Sequence, residues 1–363
     1  MEKCLHKIYN ELNDGKKYMS ENPYNITNIS IHDESILHTY LHDDDVIPPT
    51  IKSNILNRAS NLLTTTIKIL ERTINISIII CHEEDSYEYI FSSIYLWLYI
   101  ISMFTVDTCC NTLDITIFMM DEPKELPDNN FYIIDTEHVN SGYTYSCKIN
   151  NEITIYREEE WLKVLIHETF HSFGMDFSSI DMDEFQTKIL KIYNIDSQIL
   201  LYESYCETWA RVINIMMNIF IANTNITFAS FKKQFVIQIH SEVVHSMIQA
   251  CKVLKFMGLT YNILISDNPK MRNCSRTLYK ENTNVLCYYI IPSLLIFYLE
   301  DFLKWCFTNN DDMLCFPDKK NNINKYIEFI ENYHNDETYV EMMNECSDMK
   351  HMLRDPSIRM TNF

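Results

Sequence analysis

The chain has 363 residues, 47% of them hydrophobic, so it can bury a large core as one two-lobed domain or as two domains. Its formal net charge of −20 disfavours binding to the nucleic-acid backbone and to anionic membranes, whereas a basic peptide or protein substrate would be tolerated or attracted. Only 4 glycines are present, which excludes glycine-rich phosphate loops and dinucleotide fingerprints.

The cysteines predict a reducing environment. There are 12 of them, scattered along the chain without a Cys-x-x-Cys pair. Because a chain of this length needs no disulfide staples, we predict reduced, mostly buried thiols in an intracellular, cytoplasmic protein. The segment Met1–Asn10 carries charged side chains and no apolar core, so it does not resemble a signal peptide.

The first hundred residues begin with a mixed, polar stretch. We predict an N-terminal extension over residues 1–50, with one short helix near 3–13. Residues 51–70 are predicted to be helical, and 74–81, rich in β-branched side chains, to form a strand. Tyr89–Val106 carries no charge and reaches the lower length limit for a membrane span. Its hydroxyl side chains and the nearby acidic residues favour a buried helix instead.

In the rest of the chain, predicted strands give way to predicted helices at about residue 176. Strands are predicted at 113–120, 131–134, 139–147 and 152–157. Strand signals then nearly disappear, and helices are predicted at 182–193, 198–222, 229–257, 284–308, 322–333 and 336–348. The predicted fold class is therefore α+β, with an α+β lobe over residues 51–176, an α-helical lobe over 177–363 and a cleft between them.

The stretch Trp161–Gly174 contains His-Glu-x-x-His within an apolar sequence. In a helix, His167 and His171 lie one turn apart on one face and can bind a single Zn²⁺, while Glu168 can take a proton from a metal-bound water. Gly174 is expected to end the helix. The alternative is a core helix with hydrogen-bonded histidines, but three buried polar groups are difficult to satisfy without an ion.

A tetrahedral zinc site needs another protein ligand, and the best source is the predicted helix Leu200–Arg211. Glu203, Glu207 and Arg211 share one face of it. In one register Glu203 binds zinc and Glu207 contacts the outer ring nitrogen of a histidine. In the other, Glu207 is the ligand and Arg211 supports it. The alternative without metal is a ladder of surface charges.

Asp176 is a further candidate ligand, because His-Glu-x-x-His-x-x-Gly is also how metzincin sites begin. In that pattern the next ligand lies three residues after the glycine, where this chain has Phe177. Asp176 is one position short, so the metzincin pattern fails at its third ligand.

The pattern His167-Glu168-x-x-His171 followed by Glu203-x-x-x-Glu207 resembles gluzincin-type zinc metallopeptidases. In that family the residue four positions after the ligand glutamate is usually Asp, and here it is Glu. The sequences Glu159-Glu160-Trp161 and Glu203-Ser204-Tyr205 are also similar to His-Glu-x-x-His proteins of large nucleocytoplasmic DNA viruses, which implies a host-cell or virion location. The resemblance covers about residues 160–211.

The resemblance implies a zincin-like fold and zinc-dependent peptide-bond hydrolysis. One Zn²⁺ would be held by His167, His171 and Glu203, with Glu168 as the general base and Glu207 as the alternate ligand or supporting residue. Two other functions stay open at this point. One is cleavage of a non-peptide amide or ester, and the other is a non-catalytic structural or interaction protein that keeps a zinc site.

The resemblance also implies how a substrate would be held. An extended peptide would pair with residues 140–144 or with 153–156 by strand addition. The helical lobe would supply a hydrogen-bond donor to the oxyanion of the tetrahedral intermediate. The candidate donors are His240, His245, Tyr261, Tyr288 and Tyr289.

Overall fold

The computed structural model describes residues 1–41, 46–82, 87–105, 108–223 and 225–363. It is a mixed α+β structure, 54% helical, with one six-stranded mixed sheet. The predicted α+β fold class is therefore confirmed.

The sheet contains a parallel centre with antiparallel edges. Its strands are β1 (Thr27–Ser30), β2 (Asn61–Ile69), β3 (Arg72–Ile80), β4 (Thr112–Met119), β5 (Gly142–Thr144) and β6 (Asn150–Ile155). They lie in the order β1-β2-β3-β4-β6-β5, with β3, β4 and β6 parallel to one another. Because central parallel strands are covered on both faces, β3 ends in the run Ile78–Ile80, all of it buried.

Helices of the first half cover the sheet. They are α1 (Glu2–Glu21), α2 (Ser35–His38), α3 (Pro49–Arg58), α4 (Glu88–Ser102), α5 (Thr136–Val139) and α6 (Trp161–Ser172). The apolar helix predicted within Tyr89–Val106 corresponds to α4, which is almost wholly buried. The last residue of the predicted segment, Val106, lies outside the described residues. Helix α1 places Cys4, Leu5 and Ile8 in the same core as the sheet. The division of the chain at residues 50 and 176 stays a prediction.

The second half is helical, as predicted. Its α-helices are α7 (Asp183–Ile192), α8 (Tyr202–Ile221), α9 (Phe228–Phe256), α10 (Tyr261–Leu264), α11 (Pro269–Leu278), α12 (Ile291–Phe297), α13 (Leu299–Asn309), α14 (Lys320–Tyr333) and α15 (Glu337–Asp348). A π-helical turn, Leu286–Ile290, precedes α12, and a 3₁₀ turn, Met352–Arg354, follows α15.

The predicted helix over 284–308 is not one continuous element. The segment Leu286–Phe297 meets α13 at a bend of 95°. Within the described ranges, no single helix has the length and apolarity needed to cross a membrane, and this bent pair alone meets that test jointly.

Three predicted elements differ from the structure. Residues 61–69 are the strand β2 and not the end of a helix, because alternate side chains are buried as they pair residue by residue with β3. Residues 131–134 do not form a strand, since Ile134 makes only an isolated bridge to Glu281. The predicted strand over 139–147 is reduced to β5, because α5 occupies Thr136–Val139.

The prediction of reduced cysteines is wrong at one pair. Cys109 and Cys147, 38 residues apart, form a disulfide bond. The turn between β5 and β6 lies beside the segment that leads into β4, which brings the two side chains together. The other cysteines are free, and most of them are buried as expected.

Candidate metal centre

Helix α6 carries the His-Glu-x-x-His motif and is buried along almost its whole length. The indole Nε1 of Trp97 on α4 donates a hydrogen bond of 2.8 Å to Oγ1 of Thr169, which locks α6 against the helix behind it. Thr169, which accepts this bond, lies between the two motif histidines in sequence. It therefore limits rotation of α6 about its axis where the histidines project.

Gly174 ends α6, as predicted. Its φ of +66° is the left-handed conformation that glycine adopts without a steric penalty. The amide of Met175 donates a hydrogen bond of 2.8 Å to the carbonyl of Phe170. The amide of Gly174 donates one of 3.1 Å to the carbonyl of His171. These two bonds form a Schellman motif, which satisfies carbonyls that the helix end leaves unpaired.

The other end of α6 is held by a buried ion pair. Glu160, just before the helix, also has a left-handed backbone, with φ of +63°. Its carboxylate lies 2.8 Å from Nζ of Lys124 and accepts a hydrogen bond from the amide of Thr361. Burial opposes ionisation of this carboxyl, but Lys124 and Lys163 together lower its pKa to about 2. An anion therefore stands at the positive end of the helix dipole.

The side chains predicted as zinc ligands come together between α6 and α8. Nε2 of His167 lies 3.2 Å from Nε2 of His171. Oε2 of Glu203 lies 3.0 Å from the first nitrogen and 3.3 Å from the second. Donor atoms bound to one zinc ion at about 2.0–2.1 Å in tetrahedral geometry are about 3.3 Å apart. The three donor atoms therefore fit a single Zn²⁺.

The outer ring nitrogens of both histidines face carboxylates. Nδ1 of His171 contacts Oδ2 of Asp176, whose other oxygen accepts hydrogen bonds from the amide and hydroxyl of Ser178. Nδ1 of His167 lies 3.2 Å from Oε2 of Glu207, at an angle too oblique for a regular hydrogen bond. Such contacts favour the tautomer in which Nε2 is free to bind a metal. Asp176 thus lies beside the predicted ligand set and not within it.

Glu207 is also bound by two cations. Nζ of Lys163 lies 3.1 Å from its Oε2, and Nε of Arg211 lies 2.8 Å from its Oε1. Burial alone would raise the pKa of Glu207, but these cations and His167 lower it well below its usual range. Arg211 contacts Glu207, as the second predicted register required. However, the carboxylate that reaches both Nε2 atoms is that of Glu203, the ligand in the first register.

The cluster contains more acidic than basic side chains. Its buried carboxylates are Glu168, Asp176, Glu203 and Glu207, and its cations are Lys163 and Arg211. If both imidazoles are neutral and all four carboxylates are ionised, these two cations balance only two of the four negative charges. Burial would lower the pKa of His167, but Glu203 and Glu207 raise it above its usual value. A divalent cation would supply the missing positive charge.

The cluster opens into a cleft of about 280 Å³. Glu168 lines this cleft beside His167 and His171. Burial raises the pKa of the Glu168 carboxyl, although the two histidines act in the opposite direction. The motif glutamate is thus placed at the cleft, next to the predicted ligands.

No family model, no curated protein and no solved structure matches this chain.

Two tyrosines stand on either side of the histidine pair. The ring of Tyr288 meets that of His167 edge-on at 5.8 Å, and the ring of Tyr202 meets that of His171 at 5.8 Å. Both line the cleft. Tyr202 was not among the residues predicted from sequence. Its place directly before Glu203 in α8 was the available signal.

Of the five candidate oxyanion donors, Tyr288 alone is among the residues that line the cleft. The other four contact main-chain carbonyls elsewhere. His240 faces Val236, His245 faces Arg359, Tyr261 donates to His334 and Tyr289 donates to Ile358.

The two candidate substrate strands differ in their position in the sheet. Strand β6, which contains Ile153–Ile155, lies between β4 and β5 and pairs with both. Strand β5 is at the edge of the sheet and lines the cleft. Gly142 lets β5 approach α6, because a Cβ there would lie 3.0 Å from Cγ1 of Val164 and 2.9 Å from the carbonyl oxygen of Thr154.

Proposed function

We propose that this chain is a zinc-dependent peptidase. His167, His171 and Glu203 would hold one Zn²⁺, and Glu168 would act as general base. The observation that carries the proposal is the convergence of two Nε2 atoms and one carboxylate oxygen within 3.0–3.3 Å of each other beside a cleft. The fold would then be zincin-like, with the sheet and α6 on one side and α8 on the other.

Several groups that line the cleft have a chemical role in this proposal. His167, His171 and Glu203 would hold a Zn²⁺ that would supply Lewis acidity toward a water molecule and the carbonyl of the scissile bond. Glu168 accepts the proton of that water and delivers it to the leaving amine. The hydroxyl of Tyr288 donates a hydrogen bond to the developing oxyanion. Strand β5 holds the substrate by adding it to the edge of the sheet.

The decisive experiment is the substitution Glu168→Gln. The amide keeps the size of the side chain but cannot accept the proton, so turnover of a peptide substrate should fall by about 10²–10⁴-fold while zinc stays bound. Zinc content is measured by elemental analysis and turnover with a quenched-fluorescence peptide library. The exposed Glu341, far along the chain on α15, provides a matched Glu→Gln control that should behave as the wild type.

Three outcomes separate the alternatives. If Glu168→Gln cleaves peptides at the wild-type rate, the proposed mechanism is wrong. If the wild type binds zinc but cleaves no peptide, amide or ester, the site is structural. If only small amides or esters are cleaved, the enzyme is a zinc hydrolase but not a peptidase.

A further inference from the structure

The cleft extends to both sides of the histidine pair. Strand β5 runs alongside α6, and at one end the hydroxyls of Ser146 and Ser178 meet at 2.9 Å beside solvent. At the other end lies Asn284, which also lines an adjoining cavity of about 410 Å³. The space along β5 therefore continues past the cluster in both directions.

The edge of β5 offers main-chain groups along this path. The amide of Tyr156 donates to the carbonyl of Ser141 at 2.8 Å, which makes these two residues a hydrogen-bonded pair. Such pairs alternate in antiparallel strands, so the next pair, Gly142 with Ile155, is not hydrogen-bonded. The N–H and C=O of Gly142 and of Thr144 therefore point away from β6, toward the cleft.

The basic side chains near Glu168 are already ion-paired. Nζ of Lys163 is 3.1 Å from Glu207, and Nζ of Lys124 is 2.8 Å from Glu160. All four charged groups are buried. Breaking either pair to bind the carboxylate of a peptide terminus would cost about 3–5 kcal/mol for each buried charge left without a partner.

A small pocket lies beside Glu168. It has a volume of about 30 Å³, and its apolar part is formed by Val139, Val164 and Met360. A single water needs about 10–15 Å³ of such volume, so the pocket has room for two or three groups of that size, enough for the side chain of Ala or Ser but too little for Leu or an aromatic ring.

We infer that the enzyme is an endopeptidase that cleaves within extended segments and prefers a small residue, such as Ala or Ser, in the pocket at Val139 and Val164. Recognition is through the main chain along β5 and requires neither a free amino nor a free carboxyl terminus. This inference rests on the proposed peptidase function and adds the class of substrate.

The test uses octapeptides with acetylated and amidated ends, each matched to the same peptide with free ends. The zinc-loaded chain of 363 residues should cleave blocked and free peptides at the same internal bond, with kcat/KM values within about threefold of each other. Cleavage that removes single terminal residues and disappears on blocking would overturn the inference while leaving the peptidase function intact. Absence of any peptide cleavage would instead overturn the proposed function.

The pocket is tested with Val164→Ala, and with Val139→Ala in case the first variant does not fold. Enlarging the pocket by two methyl-sized units should raise the kcat/KM ratio of a Leu peptide over an Ala peptide by about 10-fold or more. Val253→Ala is the matched control, because Val253 is equally buried but lies on α9. An unchanged ratio in both pocket variants would overturn the assignment of the pocket.

Discussion

At the scale of single residues, the site depends on the different surroundings of two glutamates on one face of α8. Glu203 lies within 3.3 Å of both Nε2 atoms, whereas Glu207 lies against Nδ1 of His167 and is held by Lys163 and Arg211. A ligand must face the bound ion, and a supporting carboxylate must face the outer nitrogen of a ligand. This arrangement makes the roles of the two residues separable by experiment.

We predict that Glu203→Gln and Glu207→Gln affect the protein differently. Glu203→Gln removes a ligand charge, so zinc should be lost at concentrations that saturate the wild type. Glu207→Gln should weaken zinc binding by about 10–100-fold and also lower the free energy of unfolding by about 3–5 kcal/mol, because Lys163 and Arg211 lose a buried partner. Competition with a chromophoric chelator and denaturant titration measure the two effects. Equal loss of zinc affinity in both variants would contradict these roles.

Asp176 provides an independent residue-scale prediction. Its carboxylate contacts Nδ1 of His171 and two groups of Ser178, so Asp176→Asn should reduce zinc affinity by about 10–100-fold without abolishing binding. Asp183→Asn, on the exposed first turn of α7, serves as the control and should bind zinc like the wild type. Complete loss of zinc on Asp176→Asn would show that Asp176 is itself a ligand.

At the scale of elements, α6 is fixed at both ends by contacts distant in sequence. The Glu160–Lys124 pair and the amide of Thr361 hold its start. Its end packs against the disulfide, since a Cβ on Gly174 would lie 3.4 Å from Sγ of Cys109, and the amide of Cys147 donates to the carbonyl of His171. The histidines therefore project from a helix whose position is set before any ion binds.

The ion pair at the start of α6 should make stability depend on pH. Because the folded pKa of Glu160 is about 2, below its ordinary 4.5, its stabilisation is present above pH 4.5 and is lost as the pH falls toward 2. Glu160→Gln should lower the free energy of unfolding by about 3–5 kcal/mol at pH 7, and the difference should shrink below pH 4.5. Urea titrations at pH 7, 5 and 3 measure this difference. A difference that stays constant across these values would rule out the ion pair as its source.

The disulfide at the end of α6 gives a second prediction for this element. It closes a loop of 38 residues, so Cys147→Ser should lower the free energy of unfolding by up to about 4 kcal/mol under non-reducing conditions. Amides at the end of α6 should also exchange faster with solvent. The exposed thiol Cys274 allows a matched control, Cys274→Ser, which should change stability by less than about 0.5 kcal/mol. Identical stability of the two variants would contradict the structural role of the bond.

At the scale of the whole molecule, the donor atoms come from the two halves of the chain. His167 and His171 belong to α6, which follows the sheet, and Glu203 belongs to α8 in the helical part. A bound ion would therefore join the halves and balance buried carboxylates of the cluster. Metal binding and folding stability should be coupled.

Removing metal should destabilise the entire fold. A thousandfold excess of free zinc over its dissociation constant adds about 4 kcal/mol to the free energy of unfolding. A chelator should accordingly lower the melting temperature of the zinc-loaded wild type and leave that of Glu203→Ala unchanged, as measured by scanning calorimetry. If the chelator shifts both proteins equally, the stabilising metal is bound elsewhere.

Much of the fold and the centre of the site follow from local sequence patterns. The apolar helix α4, the helical conformation of α6 and α8 and the glycine at the end of α6 were predicted correctly, because helix faces and helix ends depend on neighbouring residues. Strand β1 was not predicted, since its residues are exposed and only pairing with β2 orders them. Strand β2 was missed for a different reason, because residues 51–70 were predicted to be one helix, whereas β3 was correctly predicted as a strand.

The sequence by itself determined that His167 and His171 share one helix face, and that Glu203 and Glu207 share a face of another helix, because helical pitch sets both spacings. Which glutamate reaches the Nε2 atoms was decided only by the tertiary structure, since a shift of α8 by one turn, about 5.4 Å, would exchange Glu203 and Glu207. The contact of Asp176, the exposed edge of β5 and the Cys109–Cys147 bond were decided in the same way. Each depends on the packing of elements distant in sequence, which no local pattern encodes.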